Sequence, residues 1–219
     1  MTAESLLLFA AAGVLLNLTP GPDVLYIVTH ALRSGARAGM VAALGIGAGC
    51  FVHIFAAAVG VSALMAASVT AFTVLKWVGA IYLVYVGMRL LTDKSKFAMN
   101  LEATQADFTW ATARIDYKSV FFQGFWTNTL NPKVALFFLA FVPQFIASDV
   151  QNKPLAFLLL GLLFNFNALW VNLGWAQVAA CMAQRAVAIQ QHLRWLDRIA
   201  GAMFVGFGIK LALTAAPKA

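Results

Sequence analysis

Two residues of this chain carry charge where charge is expensive. Asp23 is the only formal charge between Ser5 and Leu32, and Lys133 the only one between Ser119 and Ser148. A charged side chain at the centre of a bilayer costs about 2.5–3.5 kcal/mol on insertion scales, so both need a purpose. Two purposes are open. The residues are either a buried ion pair that holds two parts of the protein together, or a dipolar receptor. In the second case Asp23 faces an ammonium group and Lys133 a carboxylate, which together fit an α-amino-acid zwitterion. A carboxyl group in that position can also carry a proton, so Asp23 is the expected site of proton coupling.

Each charge follows a helix breaker. The first lies in Thr19-Pro20-Gly21-Pro22-Asp23-Val24 and the second in Thr129-Leu130-Asn131-Pro132-Lys133-Val134, 110 positions later. Gly13 and Asn17 precede the first segment as Gly124 and Asn128 precede the second. Pro20 and Pro22 lack a backbone N–H and their rings clash with the preceding turn, which frees carbonyls around Leu16–Leu18; Pro132 does the same for Asn128. In hydrocarbon such groups must be satisfied by neighbours or by a wet cavity. Half-helices restarting at Pro22 and Pro132 would present N–H groups and a positive dipole end to that cavity. The candidate binding residues are therefore Asp23 and Lys133, the shaping residues Thr19, Pro20, Gly21, Pro22, Asn131 and Pro132, and the nearby Asn17 and Asn128.

Other candidates are weaker. His53 lies three positions after Cys50, one helical edge apart, but two ligands do not make a metal site; His53 instead packs in a core, touches substrate or relays protons. Gly45 and Gly49 form a G-x-x-x-G pair suited to close helix packing, expected within one chain. Asn165, Asn167 and Asn172 are polar in an apolar run, and either line a cavity or bond neighbouring helices. No residue set calls for a cofactor, a metal or a catalytic role.

The elements that must hold these residues follow from composition. Of 219 residues 62% are hydrophobic and 11% charged, against roughly half and a quarter in soluble domains. The expected solvent is lipid, which excludes disorder, a coiled coil and a disulfide scaffold. The net charge of +7 is read as topology signal, not as a nucleic-acid surface. Apolar runs of about 20 residues predict six spans, near 5–31, 39–66, 71–91, 119–147, 154–183 and 196–215. With the N-terminus outside, Arg33, Arg37, Arg89, Lys94, Lys96, Arg114, Lys118, Arg185, Arg194 and Arg198 fall inside, ten of the fifteen basic residues. Both termini are then expected on the periplasmic side. Met1–Glu4 carry no positive charge, so no cleaved leader is expected.

Lys76-Trp77-Val78-Gly79-Ala80 in the third span resembles Arg198-Ile199-Ala200-Gly201-Ala202 in the sixth, which extends the repeat of the first and fourth. The expected fold is an all-α integral membrane protein, six transmembrane helices in two inverted three-helix repeats with helices 1 and 4 broken. Repeat one covers 1–92, a cytoplasmic loop 93–118 and repeat two 119–219, all in one domain. Three spans per repeat force opposite orientations, the arrangement of alternating-access transporters.

The chain resembles the LysE-type amino-acid exporter family, in particular its homoserine/threonine (RhtB-like) branch. The resemblance rests on Leu18-Thr19-Pro20-Gly21-Pro22-Asp23, on Ala38-Gly39 with the glycine-rich Leu44–Gly49 and His53, and on Gly124-Phe125 through Asn131-Pro132-Lys133-Val134-Ala135-Leu136-Phe137-Phe138 with Val142-Pro143-Gln144-Phe145. It implies a multi-pass protein of the bacterial inner membrane that exports neutral or small polar amino acids, of the homoserine, threonine or leucine type, by proton antiport. Its partners would be an amino acid, protons and lipid, with assembly of several copies left open. The rival functions are a metal-cation exporter and a membrane thiol oxidoreductase passing electrons between Cys50 and Cys181.

Overall fold

Prolines and glycines punctuate the apolar runs and decide where the helices stop. In the computed structural model, residues 3–63, 69–92, 115–147 and 150–181 are described, together with 199, 201, 202, 205, 206, 208, 209, 212 and 213. All regular structure among them is helical. Helix α1 (Ala3–Leu18) ends before the proline pair, and α2 (Pro22–Ala56) restarts with Pro22 in its first turn and Gly21 extended ahead of it. Proline suits that first position because its missing N–H would be unpaired there anyway.

Helix α2 is two helices joined at Gly35, whose φ of 82° is the left-handed conformation that glycine adopts without strain. The chain reverses there. A Cβ on Gly39 would lie 2.7 Å from the Cβ of Ala31, whereas eight residues of straight helix would part them by about 12 Å. Ile27 accordingly packs with Ala42, Ala43 and Ile46 in one cluster. The reversal is tighter than the 32–38 loop expected between the first two spans, because helix runs up to the glycine from both sides.

A π-helical turn (Ala57–Val61) continues α2, and α3 (Val69–Thr92) follows. Helix α4 (Tyr117–Thr129) begins two residues earlier than the expected boundary. Asp116 caps it, accepting from the backbone N–H groups of Lys118 at 3.0 Å and Ser119 at 3.2 Å. The helical run is then broken at Leu130-Asn131: α5 (Pro132–Leu136) restarts at the proline and passes into a π-helical turn (Phe137–Phe141) and a 3₁₀ turn (Val142–Phe145). Helix α6 (Lys153–Cys181) closes the continuous part. The described positions from 199 to 213 are helical; the remainder of the sixth expected span, and 93–114 of the expected loop, lie outside the described residues.

Helix α2 packs against α4 and α6, and glycines set the first of these approaches. A Cβ on Gly45 would run into the carbonyl oxygen of Phe121, one on Gly49 into that of Phe125, and one on Gly124 would lie 2.8 Å from the Ala42 carbonyl oxygen. The G-x-x-x-G pair is thus a seam within the chain. A second core gathers Phe9, Phe137, Phe138, Phe141, Phe157 and Phe164 between α1, the π turn and α6. Phe137 and Phe164 have ring centroids 4.6 Å apart.

Polarity is inverted relative to a soluble domain. Thr19, His53, Asn128, Asn131, Asn165 and Asn172 are buried, while Leu7, Phe55, Val59, Leu159, Phe166 and Trp170 are exposed. Water rewards the opposite arrangement, and lipid rewards this one.

Candidate functional site

The two helix breaks meet, and each is repaired by a side chain from elsewhere in the chain. Pro20 removes the amide that would serve the Leu16 carbonyl four residues earlier. Lys133 takes its place: Nζ donates to the Leu16 carbonyl oxygen at 2.8 Å and to that of Thr19 at 3.0 Å. Pro132 likewise leaves the Asn128 carbonyl without its helical donor. His53 Nε2 lies 2.9 Å from that oxygen and must donate, since a carbonyl only accepts. The backbone N–H of Asn131 also reaches it, at 2.9 Å.

Asp23 reciprocates across the same junction. Its Oδ2 accepts from Asn128 Nδ2 at 3.0 Å and from Asn131 Nδ2 at 2.9 Å. Asn131 works at both ends, because its Oδ1 accepts from the Lys133 backbone N–H at 3.0 Å and caps α5. The restart at Pro132 is therefore already capped, unlike the bare N–H groups expected from the proline alone. The restart at Pro22 has no side-chain cap, and Asp23 in its first turn complements the positive end of the helix.

Leu16, Asn17, Gly21, Asp23, Val24, Lys133, Val134 and Asn172 line a small pocket at this junction. It offers the centre of a water molecule about 10 Å³, the room of roughly one water. An amino acid does not fit this conformation without the breaks moving apart. A Cβ on Gly21 would stand 3.5 Å from Nζ, an ordinary contact, so the lysine lies directly against this residue. Two buried acceptors, Asp23 Oδ1 and Asn128 Oδ1, have no hydrogen-bond partner among the described residues.

The remaining candidates sort by geometry. Asn17 lines the pocket while its Nδ2 donates back to the Gly13 carbonyl at 2.8 Å. Thr19 is fully buried and its hydroxyl donates to the Leu15 carbonyl at 2.8 Å, so it closes the last turn of α1. Pro20, Pro22 and Pro132 act through the donors they remove. His53 stacks nearly parallel to Phe138, 6.3 Å between centroids. Asn165 donates to the Gly47 carbonyl at 3.2 Å and ties α6 to α2, whereas Asn172 lines the pocket. Among the described residues no group of three His, Cys, Asp or Glu side chains could hold a metal ion. Cys50 is buried, Cys181 exposed, and both are free thiols.

Tyr26 joins the junction from outside the two motifs. One turn beyond Asp23, its hydroxyl donates to the Val120 carbonyl at 2.8 Å. A Cβ on Gly124 would lie 3.2 Å from its ring. The pairing of Gly124 with Gly13 in the repeat was the available signal, but nothing local in the sequence names the ring that needs the space.

An all-helical chain with an apolar exterior, whose two broken helices meet around a half-buried aspartate and a half-buried lysine, is a membrane protein of the transporter class. The chain belongs to the LysE type translocator family, whose profile matches residues 14–215. It is 30% identical over 211 residues to the uncharacterized membrane protein YrhP of Bacillus subtilis, covering 96% of this chain and 100% of that one. It is 31% identical over 206 residues to an uncharacterized membrane protein of Vibrio cholerae, covering 94% and 95%. A third relative, the uncharacterized membrane protein PA4757 of Pseudomonas aeruginosa, is 31% identical over 207 residues, covering 91% and 90%. No solved structure matches the chain.

Proposed function

We propose that this protein exports neutral or small polar amino acids across the bacterial inner membrane by alternating access, driven by proton antiport. The reading takes the chain as six spans in two inverted repeats, 1–92 and 119–219, with both termini periplasmic. Asp23 binds the substrate ammonium and exchanges it for a proton. Lys133 balances that charge and holds the first break in shape, with Asn128 and Asn131 steering the Asp23 carboxylate.

One observation carries it: the carboxylate and the ammonium at the two breaks are each held by groups from the other break. Asp23 is bonded to Asn128 and Asn131, and Lys133 to the Leu16 and Thr19 carbonyls. A static ion pair would need no broken helices around it. Breaks that exchange partners are built to separate, which alternating access requires. The one-water pocket fits a closed state between inward-open and outward-open forms.

The test is uptake of labelled amino acids into inverted vesicles with an imposed inward-acid proton gradient. Accumulation of some amino acids, abolished by a protonophore, is the expected result. Absence of accumulation across the twenty standard amino acids, with protein present in the vesicles, would refute the reading.

A further inference from the structure

We infer that Asn172 of α6 is a substrate-binding residue whose side-chain amide receives the carboxylate of the transported amino acid, opposite an ammonium end formed by Asp23 and Asn128. The inference rests on the amino-acid export reading above and names the residue that makes the site selective for the acid.

Most polar side chains at the junction already have partners within the protein. Lys133 gives two of its three ammonium protons to the Leu16 and Thr19 carbonyls. Asn131 gives Nδ2 to Asp23 and Oδ1 to the Lys133 amide. Asn128 gives Nδ2 to Asp23, and Asn17 gives Nδ2 to Gly13. These donors already serve the protein. Asn172 is different: it is 3% exposed and lines the pocket, and its amide has no hydrogen-bond partner among the described residues.

An amide on the pocket wall can be served by water or a solute there, whereas a plain helix–helix contact would be made as well by an apolar residue. Asn165 supplies the contrast. It lies seven residues earlier on the same face of α6 and gives its Nδ2 to the Gly47 carbonyl, tying α6 to α2, while its Oδ1 stays unpaired among the described residues. Asn172 faces the void instead, with two N–H donors for an anion.

The acceptors supply the opposite end. Asp23 lines the pocket and its Oδ1 is a buried acceptor without a donor among the described residues, as is Oδ1 of Asn128, which lies outside the pocket lining but bonds Asp23 through its Nδ2. Two free acceptors at the carboxylate suit an ammonium with three hydrogens. A solute spanning from these oxygens to the Asn172 amide must carry a cation at one end and an acceptor group at the other.

The experiment measures transport in proteoliposomes of wild type, Asn172→Leu and Asn172→Gln. The probes are the amino acid moved fastest in the vesicle panel and its primary amide, which keeps the ammonium and loses the carboxylate. Wild type should prefer the acid by about tenfold or more in KM, as sites built around a hydrogen bond do. Asn172→Leu should bring the acid-to-amide ratio within about threefold by weakening the acid alone, and Asn172→Gln should restore part of the preference. Equal loss of both probes, or an unchanged ratio, would overturn the inference. If Asn172→Leu does not fold, as judged by gel filtration in detergent, Asn172→Asp takes its place; it should repel the acid while retaining the amide, and an unaltered ratio there counts equally against Asn172. A wild-type protein that moves no amino acid refutes the proposed function, whereas active variants with an unmoved ratio strike only Asn172.

Discussion

Lys133 hydrogen-bonds the carbonyl of Leu16 at 2.8 Å, the oxygen that Pro20 deprives of its helical donor. The positive charge thereby does two jobs. It completes the backbone of α1, and it lies in the same pocket as Asp23. A lysine so used differs from one waiting in an empty cavity, because its removal strands two buried carbonyls.

The first prediction tests that repair. Lys133→Met should destabilise the protein by about 2–4 kcal/mol, the range for losing charged hydrogen bonds and leaving buried acceptors unpaired. Pro20→Ala restores an N–H for Leu16, so the double variant should be more stable than the sum of the single changes by about 1–2 kcal/mol. Thermal unfolding in detergent reads this cycle. Additive losses would mean that the lysine does not serve the carbonyl that Pro20 frees.

A second prediction concerns the carboxylate. Asp23→Asn keeps the size of the side chain and one acceptor oxygen for the Asn128 and Asn131 amides while deleting the charge. Proton-driven accumulation of amino acids should vanish, with the melting temperature of the variant little changed. Normal accumulation in inverted vesicles would remove Asp23 from the mechanism.

Much of this site was legible in the sequence, and for a physical reason. Isolated charges and prolines in apolar runs are costly, so Asp23, Lys133, Pro20, Pro22 and Pro132 stood out, and the carbonyls of Leu16 and Asn128 followed from counting lost amides. What the charges bond to was not legible. Lys133 reaching the Leu16 and Thr19 carbonyls, and His53 that of Asn128, depend on how helices far apart in sequence cross. Asn165 and Asn172 share a helix face and a residue type, and only tertiary packing assigns one to a carbonyl and the other to the pocket. The turn at Gly35 was hidden for a local reason: Arg33, Ser34 and Arg37 read as a polar loop, although helix continues up to the glycine from either side.

The two cysteines give a third prediction. Cys50 is buried among apolar side chains and Cys181 is exposed at the end of α6. A membrane-permeant maleimide should label one thiol in the native protein and two after denaturation. The double variant Cys50→Ala/Cys181→Ala should retain transport. Two thiols labelled at equal rates, or transport lost with both alanines in a folded protein, would bring thiol chemistry back.

The final prediction addresses what holds Asn128 in place. Gly45 and Gly49 let α2 touch α4 so closely that a Cβ on either would strike a carbonyl oxygen, that of Phe121 or of Phe125. Alanine at either position must push the helices apart, at a cost of about 1–3 kcal/mol for overpacking. Gly174 is the control, because a Cβ there would meet nothing within 4 Å; alanine should be neutral or stabilising by up to about 1 kcal/mol, the helix-propensity difference. The two seam glycines should differ in function. A Cβ on Gly49 would also stand 3.0 Å from the Cβ of Asn128, whose amide holds Asp23. Gly49→Ala should therefore reduce transport more than Gly45→Ala at comparable losses of melting temperature. Equal transport from the two variants would show that Asn128 is not positioned through this seam.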